Sequence, residues 1–160
     1  MEYCIGRNLS IREVFFWLVL AFVVWKVRKK NCYMPLIYSA FLIIYITLLR
    51  RTPGYDEHLR LKIGRWEEAD FLAGVILNTF LYIQLGYTGY ICRKRIENRK
   101  IKKRCVVINS VLIGVCLSIC CEILQYFTKR GWADINDVLF NIIGTITGVV
   151  IACKTYWEKN

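Results

Sequence analysis

The chain has 160 residues, 56% of them hydrophobic, and a mean hydropathy of +0.38. That exceeds the roughly 45–50% apolar usage of a soluble domain and predicts one integral membrane domain over residues 1–160. The formal charge of +11 would suit nucleic acid, but its basic residues fall in short segments between apolar runs, so the charge reads as a membrane-topology signal and no nucleic-acid partner is expected.

A helix needs about 20 apolar residues to cross a hydrocarbon core. The first run, Val14–Trp25, is short and spans only if Arg12 and Lys26 snorkel to the two interfaces. Arg7 and Arg12 before it resemble the start of a signal peptide, but the WKVRKKN that follows has no small-residue cleavage pattern, so it reads as a retained helix. Asn8-Leu9-Ser10 fits a glycosylation sequon, a three-residue match of low specificity. The second run, Cys32–Leu49, is closed by Pro53 and Gly54 of RRTPG. The 50–70 connection then sets Arg50, Arg51, Arg60, Lys62 and Arg65 against Asp56, Glu57, Glu67, Glu68 and Asp70. It is expected to hold a short amphipathic piece on the membrane surface and to place Trp66 at the interface. Phe71–Cys92, Cys105–Phe127 and about Ile135–Cys153 complete the series.

Lys26, Arg28, Lys29 and Lys30 follow the first run, and RKRIENRKIKKR, residues 93–104, follows the third. Both connections are therefore expected in the cytoplasm, the second also suited to anionic lipid. The expected fold class is all-α: a polytopic transmembrane bundle of about five helices, N-terminus out and C-terminus in, in contact with membrane lipids. Eight cysteines without a CxxC, and the single His58, make no disulfide framework or metal site, and no cofactor is expected.

Read at the helical period, three runs carry polar or small stripes that are expected to face other helices. They are Asn78, Tyr82, Leu85 and Gly89; Gly114, Ser118, Glu122, Gln125 and Lys129; and Asp134, Asp137, Asn141, Gly144 or Thr145, and Gly148. The short turn TKRGWAD makes the last two helices an antiparallel hairpin, which brings Glu122 and Gln125 toward Asp134, Asp137 and Asn141 with Arg130 at the apex. A carboxylate near the centre of a bilayer costs about 2.5–3.5 kcal/mol, so a partner, a water cavity or a ligand is the default expectation.

Plainer roles stand beside these. Asp134 is placed as a helix N-cap with Asp137 three residues later in a capping-box arrangement. Gly144-x-x-x-Gly148 reads as a close-packing motif, and Asn78 as an interhelical hydrogen-bond partner. Glu122, about 7–8 Å below the outer end of its helix, would be satisfied by Arg130, Arg50 or Arg51, by protonation, or by a ligand. In an open pocket Arg130 would suit a phosphate or carboxylate, and the acidic groups would accept from sugar hydroxyls or ammonium. No Ser-His-Asp arrangement, glycine-rich phosphate loop or zinc motif is legible, so no catalytic residue and no metal ligand is assigned and the reading leans away from an enzyme.

At these residues the chain resembles the VanZ-like family of small membrane proteins. The first block, in the motif region 77–89, is carried by ILNTFLYIQLG, residues 76–86, with Asn78 and Gly86 at the family's Asn and Gly positions and Gln84 where proline is usual. The second lies within 118–149 and sets Glu122, Gln125, Arg130, Asp134, Asp137, Asn141, Gly144 and Gly148 on the pattern E-x-x-Q, R, D-x-x-D and N-x-x-G-x-x-x-G. Arg51 after the second helix is also similar. The resemblance implies a multi-pass protein of the bacterial cytoplasmic membrane that lowers susceptibility to the lipoglycopeptide teicoplanin, without implying a mechanism. An outer polar pocket for an amphiphile or lipid-linked envelope precursor is the first reading. A membrane enzyme acting on lipid or cell-wall precursors, or a transporter or scaffold using the stripes for packing, are the alternatives.

Overall fold

The computed structural model describes residues 10–28, 30–54, 59–64, 69–96 and 103–157. Asn8, Lys29, His58, Trp66 and most of the acidic residues of the 50–70 connection lie outside the described residues, as does the middle of the basic run, residues 97–102. The described helices are α1 (Ile11–Val27), α2 (Tyr33–Ile44), α3 (Ala69–Ile96), α4 (Lys103–Thr128) and α5 (Ile135–Trp157). They form an all-α bundle. A π-helical turn, Tyr45–Leu49, prolongs α2, and two short strands, β1 (Leu59–Arg60) and β2 (Ala133–Asp134), pair in parallel.

Within these helices, Phe71–Ile96, Lys103–Thr128 and Ile135–Thr155 are long and apolar enough to cross a membrane. The 17 residues of α1, and the same reach from Tyr33 to Leu49, extend only about 25 Å. That falls short of a hydrocarbon core of about 30 Å, so their ends depend on amphipathic side chains. At the end of α1, Lys26 sits over the Phe22 ring and Arg28 over Trp25, cations laid along apolar surface. Its other end carries a capping box: Ser10 Oγ accepts from the Glu13 N–H, and Glu13 accepts from the Ser10 N–H at 2.8 Å. Trp17, the one described α1 residue that is buried, packs on Tyr38, Phe41 and Tyr45 of the next helix, with the Tyr45 centroid 5.0 Å away.

The tightest contact is between α3 and α5. Lipid tails are as apolar as leucine, so helices in a bilayer are held by close packing rather than by the hydrophobic effect. Gly144 lies on the Thr79 carbonyl, Gly148 on the Ile83 carbonyl, and Gly86 of α3 on the Thr145 carbonyl. Backbone meets backbone at all three. The helix that carries this seam runs unbroken through Gln84, whose carbonyl accepts from the Thr88 hydroxyl at 2.9 Å.

One apolar cluster gathers Ile43, Leu48, Leu81, Tyr82, Leu85 and Cys121, and a second gathers Tyr90, Val106, Val149 and Ala152. Large apolar residues such as Phe80, Ile123, Phe127 and Ile143 point outward, while Ser118, Glu122, Gln125 and Asn141 are buried. That distribution suits a bilayer as solvent. The two ends of the bundle also differ. One holds the α4–α5 turn and residues 50–54 and 59–64; the other gathers basic residues, where Arg95 donates to the Arg28 carbonyl at 2.9 Å.

Candidate functional site

The site is built where α4 turns into α5. Lys129, at φ 53°, and Gly131, at φ 113°, take left-handed conformations that reverse the chain, and the Arg130 N–H closes the end of α4 on the Gln125 carbonyl at 3.3 Å. Gly131 has a second constraint, because a Cβ there would collide with the Arg51 guanidinium. The arginine predicted at the apex points across the turn: Arg130 Nη1 donates to the carbonyls of Leu49 and Arg51 at 3.4 and 3.3 Å. It therefore serves carbonyls left open where the second helix ends. Gly54 N–H joins the same lacing by donating to the Lys129 carbonyl at 3.1 Å.

Beneath the turn, Glu122 meets the start of α5. Asp134 caps that helix, its carboxylate accepting from the Asn136 N–H at 2.9 Å, as its position predicts. The Asp134 N–H donates to Glu122 Oε2 at 2.8 Å, so the reciprocal bond of the capping box comes from the preceding helix. Arg51, Asp137 and Asp134 are the charges that act on Glu122. Asp137 is half-buried in the first turn of α5.

Asn136 is a residue that sequence reasoning missed. Its side chain donates to the Lys62 carbonyl at 2.8 Å and to the Asp134 carboxylate at 2.7 Å, and accepts from the Gly64 N–H at 3.0 Å. With the pairing of Leu59 to Ala133 and Arg60 to Asp134, it straps residues 59–64 across the end of the hairpin. Arg60 stacks over the Trp132 ring on the same strap. Leu59, Leu61, Lys62 and Ile63 are exposed along this segment and Arg60 is half-buried, so this part of the 50–70 connection is extended. The sequence signal for Asn136 was limited to an Asn between two aspartates. Replacing Asn136 with Ala removes the side-chain bonds to the strap, each worth about 0.5–1.5 kcal/mol net. We expect hydrogen exchange at the Gly64 amide to rise about tenfold or more, with the exchange rates of α3 amides unchanged.

Deeper in the bundle, the α4 face Ser118, Glu122 and Gln125 meets three other helical segments. Gln125 Nε2 donates to the Thr47 carbonyl at 3.2 Å, within the π-helical turn, where the widened register alters which carbonyls are used inside the helix. Asn141 Nδ2 donates to Ser118 Oγ at 2.9 Å. The Tyr82 side chain from α3 lies beside Ser118, Cys121 and Glu122. Three buried atoms on these residues make no hydrogen bond: Tyr82 Oη, Gln125 Oε1 and Asn141 Oδ1. Asn78 is buried on the same α3 face, one turn before Tyr82.

The fold thus gathers Glu122, Gln125, Asp134 and Asn141 in its interior, sets Asp137 beside them, and holds Arg51 and Arg130 at the turn. Gly86, Gly144 and Gly148 lie in the packing seam, where Gly144 borders Tyr82 of the polar face. Among the described residues, no group of three or more His, Cys, Asp or Glu side chains is placed to hold a metal ion. A separate cleft of about 330 Å³, between α1 and α2, is lined by Arg12, Glu13, Phe16, Trp17, Phe41 and Tyr45. At its polar end the Tyr45 hydroxyl donates to Glu13 at 2.6 Å.

Among known proteins, a family model described as VanZ/LLP1 matches residues 14–156. No curated protein and no solved structure matches the chain.

Proposed function

Because the chain belongs to the VanZ/LLP1 family, we propose that it is a non-catalytic protein of the bacterial cytoplasmic membrane that binds an amphiphile or a lipid-linked envelope component at its hairpin end and thereby lowers susceptibility to teicoplanin. One observation carries the reading. Glu122, Gln125 and Asn141 are buried together inside a bundle with membrane-spanning helices, yet two of the three keep an acceptor oxygen without a hydrogen bond. Such groups are costly to bury, and a ligand offsets that cost when it binds.

The hairpin end faces outward in this reading. Arg28, Lys30, Arg93, Lys94, Arg95, Lys103 and Arg104 lie at helix termini of the opposite end, and a basic end stays in the cytoplasm. Teicoplanin carries an acyl chain that anchors it in the outer leaflet, where a headgroup site at the hairpin end would meet it.

The test is the susceptibility of a sensitive Gram-positive host that expresses this chain, measured for teicoplanin and for vancomycin, beside Glu122→Gln at verified equal abundance. Protection selective for teicoplanin is expected from the natural chain, with at least a fourfold loss in the variant, which at about 1.4 kcal/mol per decade needs less than one good hydrogen bond. Full protection by Glu122→Gln would remove the site from the mechanism. No protection by a well-expressed natural chain would remove the teicoplanin role.

A further inference from the structure

The polar face of α4 has a surplus of one kind of group. Gln125 and Asn141 each use their amide nitrogen, on the Thr47 carbonyl and on Ser118 Oγ, and each keeps its amide oxygen unpartnered. For Gln125 the assignment is fixed by its partner, because a backbone carbonyl accepts only from the N–H end. Glu122 contributes a carboxylate that accepts the Asp134 N–H through one oxygen. The cation predicted to receive an anion is engaged elsewhere, since Arg130 donates to the Leu49 and Arg51 carbonyls, and the Arg51 guanidinium beside Gly131 already acts on the Glu122 carboxylate. Facing these acceptors from α3 is the Tyr82 hydroxyl, fully buried beside Ser118 and Cys121 and making no well-formed hydrogen bond.

These groups form a column rather than a scatter. Ser118, Glu122 and Gln125 follow spacings of four and three, so they lie on one face of α4 over about 10 Å. Gln125 is 1% exposed, Asn141 2% and Tyr82 0%, so bulk water does not satisfy them. A phosphate or carboxylate would add acceptors to acceptors. A group rich in N–H or O–H donors would pair with them.

We propose that the amphiphile bound at this site, on the function proposed above, presents hydrogen-bond donors, hydroxyl or ammonium, and not an anionic phosphate, to the Ser118–Glu122–Gln125 face, with Asn141 and Tyr82 completing the contact. The strap of residues 59–64, held by Asn136 and two strand pairs, lies across the hairpin end beside these residues.

Tyr82→Phe separates a binding role from a structural one. A buried hydroxyl without a partner is a cost to the unliganded protein, so its removal is expected to raise the melting midpoint by about 2–4 °C. The same change removes a ligand contact and is expected to weaken binding. The full chain is reconstituted in phosphatidylcholine nanodiscs, whose headgroup has no donors, and its melting midpoint is followed by tryptophan fluorescence with decyl glucoside, decylamine or decyl phosphate added. The expected result is a concentration-dependent rise in midpoint with the glucoside or the amine and none with the phosphate, and at least a fivefold weaker response in Tyr82→Phe. Whichever of the two acts identifies the donor as hydroxyl or ammonium.

A rise with decyl phosphate alone would overturn the donor assignment and leave the amphiphile site standing. No response to any of the three would overturn both. Destabilisation by Tyr82→Phe would show that the hydroxyl already has a partner in the unliganded protein, which also overturns the proposal. Gln125→Met provides an independent check: it removes the second acceptor and should weaken the same response while sparing any response that arises from the nanodisc lipid.

Discussion

Gly148→Val is expected to abolish the folded protein in membranes. A Cβ at this position would collide with the Ile83 carbonyl and stand 2.8 Å from the Tyr87 nitrogen, so the obstacle is backbone that cannot rotate away. One extra methyl group in a packed core costs about 1–3 kcal/mol, and a branched side chain at a backbone contact costs more. The same seam carries Gly144 and Gly86, where a Cβ would collide with the Thr79 and Thr145 carbonyls, so α3 and α5 would have to separate along much of their contact. In a bilayer, little replaces that packing. The control is Gly74→Ala on α3, where nothing lies within 4 Å of a new Cβ. It is expected to stabilise the helix by about 0.5–1 kcal/mol, the cost of a mid-helix glycine relative to alanine. Fluorescence-detected size exclusion of tagged variants checks both: loss of the monodisperse peak for Gly148→Val, and an unchanged or larger peak for Gly74→Ala. A normal peak for Gly148→Val would mean that the glycine seam does not hold the bundle together.

Glu122→Ala and Glu122→Gln are expected to differ sharply in stability while agreeing in function. The Asp134 N–H is a buried donor whose acceptor is the Glu122 carboxylate. Alanine leaves that donor unsatisfied at the start of α5, at a cost of about 1–3 kcal/mol. The strap depends on the same element, since β2 contains Asp134 and pairs with β1. We therefore expect the melting midpoint of Glu122→Ala to fall by about 2–12 °C, at 2–4 °C per 1 kcal/mol, with faster exchange at the Gly64 amide. Glutamine keeps an acceptor oxygen at the same reach. Its midpoint should stay within about 2 °C of the natural chain, while the loss of the carboxylate removes the charge that the proposed ligand contacts. Equal midpoints for the two variants would show that Glu122 does not cap α5.

Much of this architecture was readable in advance, and particular residues show why. Hydropathy is a property of each residue, so Phe71, Cys105 and Ile135 mark the long apolar runs wherever the chain goes afterward. A helix repeats every 3.6 residues, so Ser118, Glu122 and Gln125 fall on one face before any neighbour is known. Gly144 and Gly148 announce close packing by their spacing, and the structure sets both against backbone. Asp134 announces a cap by its type and place, and it caps.

Other features depend on pairs that are far apart in the chain. Asn136 bonds the Lys62 carbonyl and the Gly64 N–H across 74 and 72 positions, and Gln125 bonds the Thr47 carbonyl across 78. β1 and β2 are two residues each, too short to leave a period-two signal in the sequence. Arg130 illustrates the difference most directly. Its residue type suits an anion, and only the position of the end of α2 directs it to the carbonyls of Leu49 and Arg51.

By itself the sequence determined the membrane class, the helical runs and the polar face of each helix, because transfer cost and helical period are local to a segment. Tertiary structure alone decided that Glu122 completes the cap of α5, that Asn136 holds a strap over the hairpin end, and that Gln125, Asn141 and Tyr82 keep unpartnered polar atoms inside the bundle. A hydrogen bond forms or fails within a few tenths of an ångström and a limited range of angle. Such distances between residues remote in the chain are set by how the helices pack, and the order of the residues does not contain them.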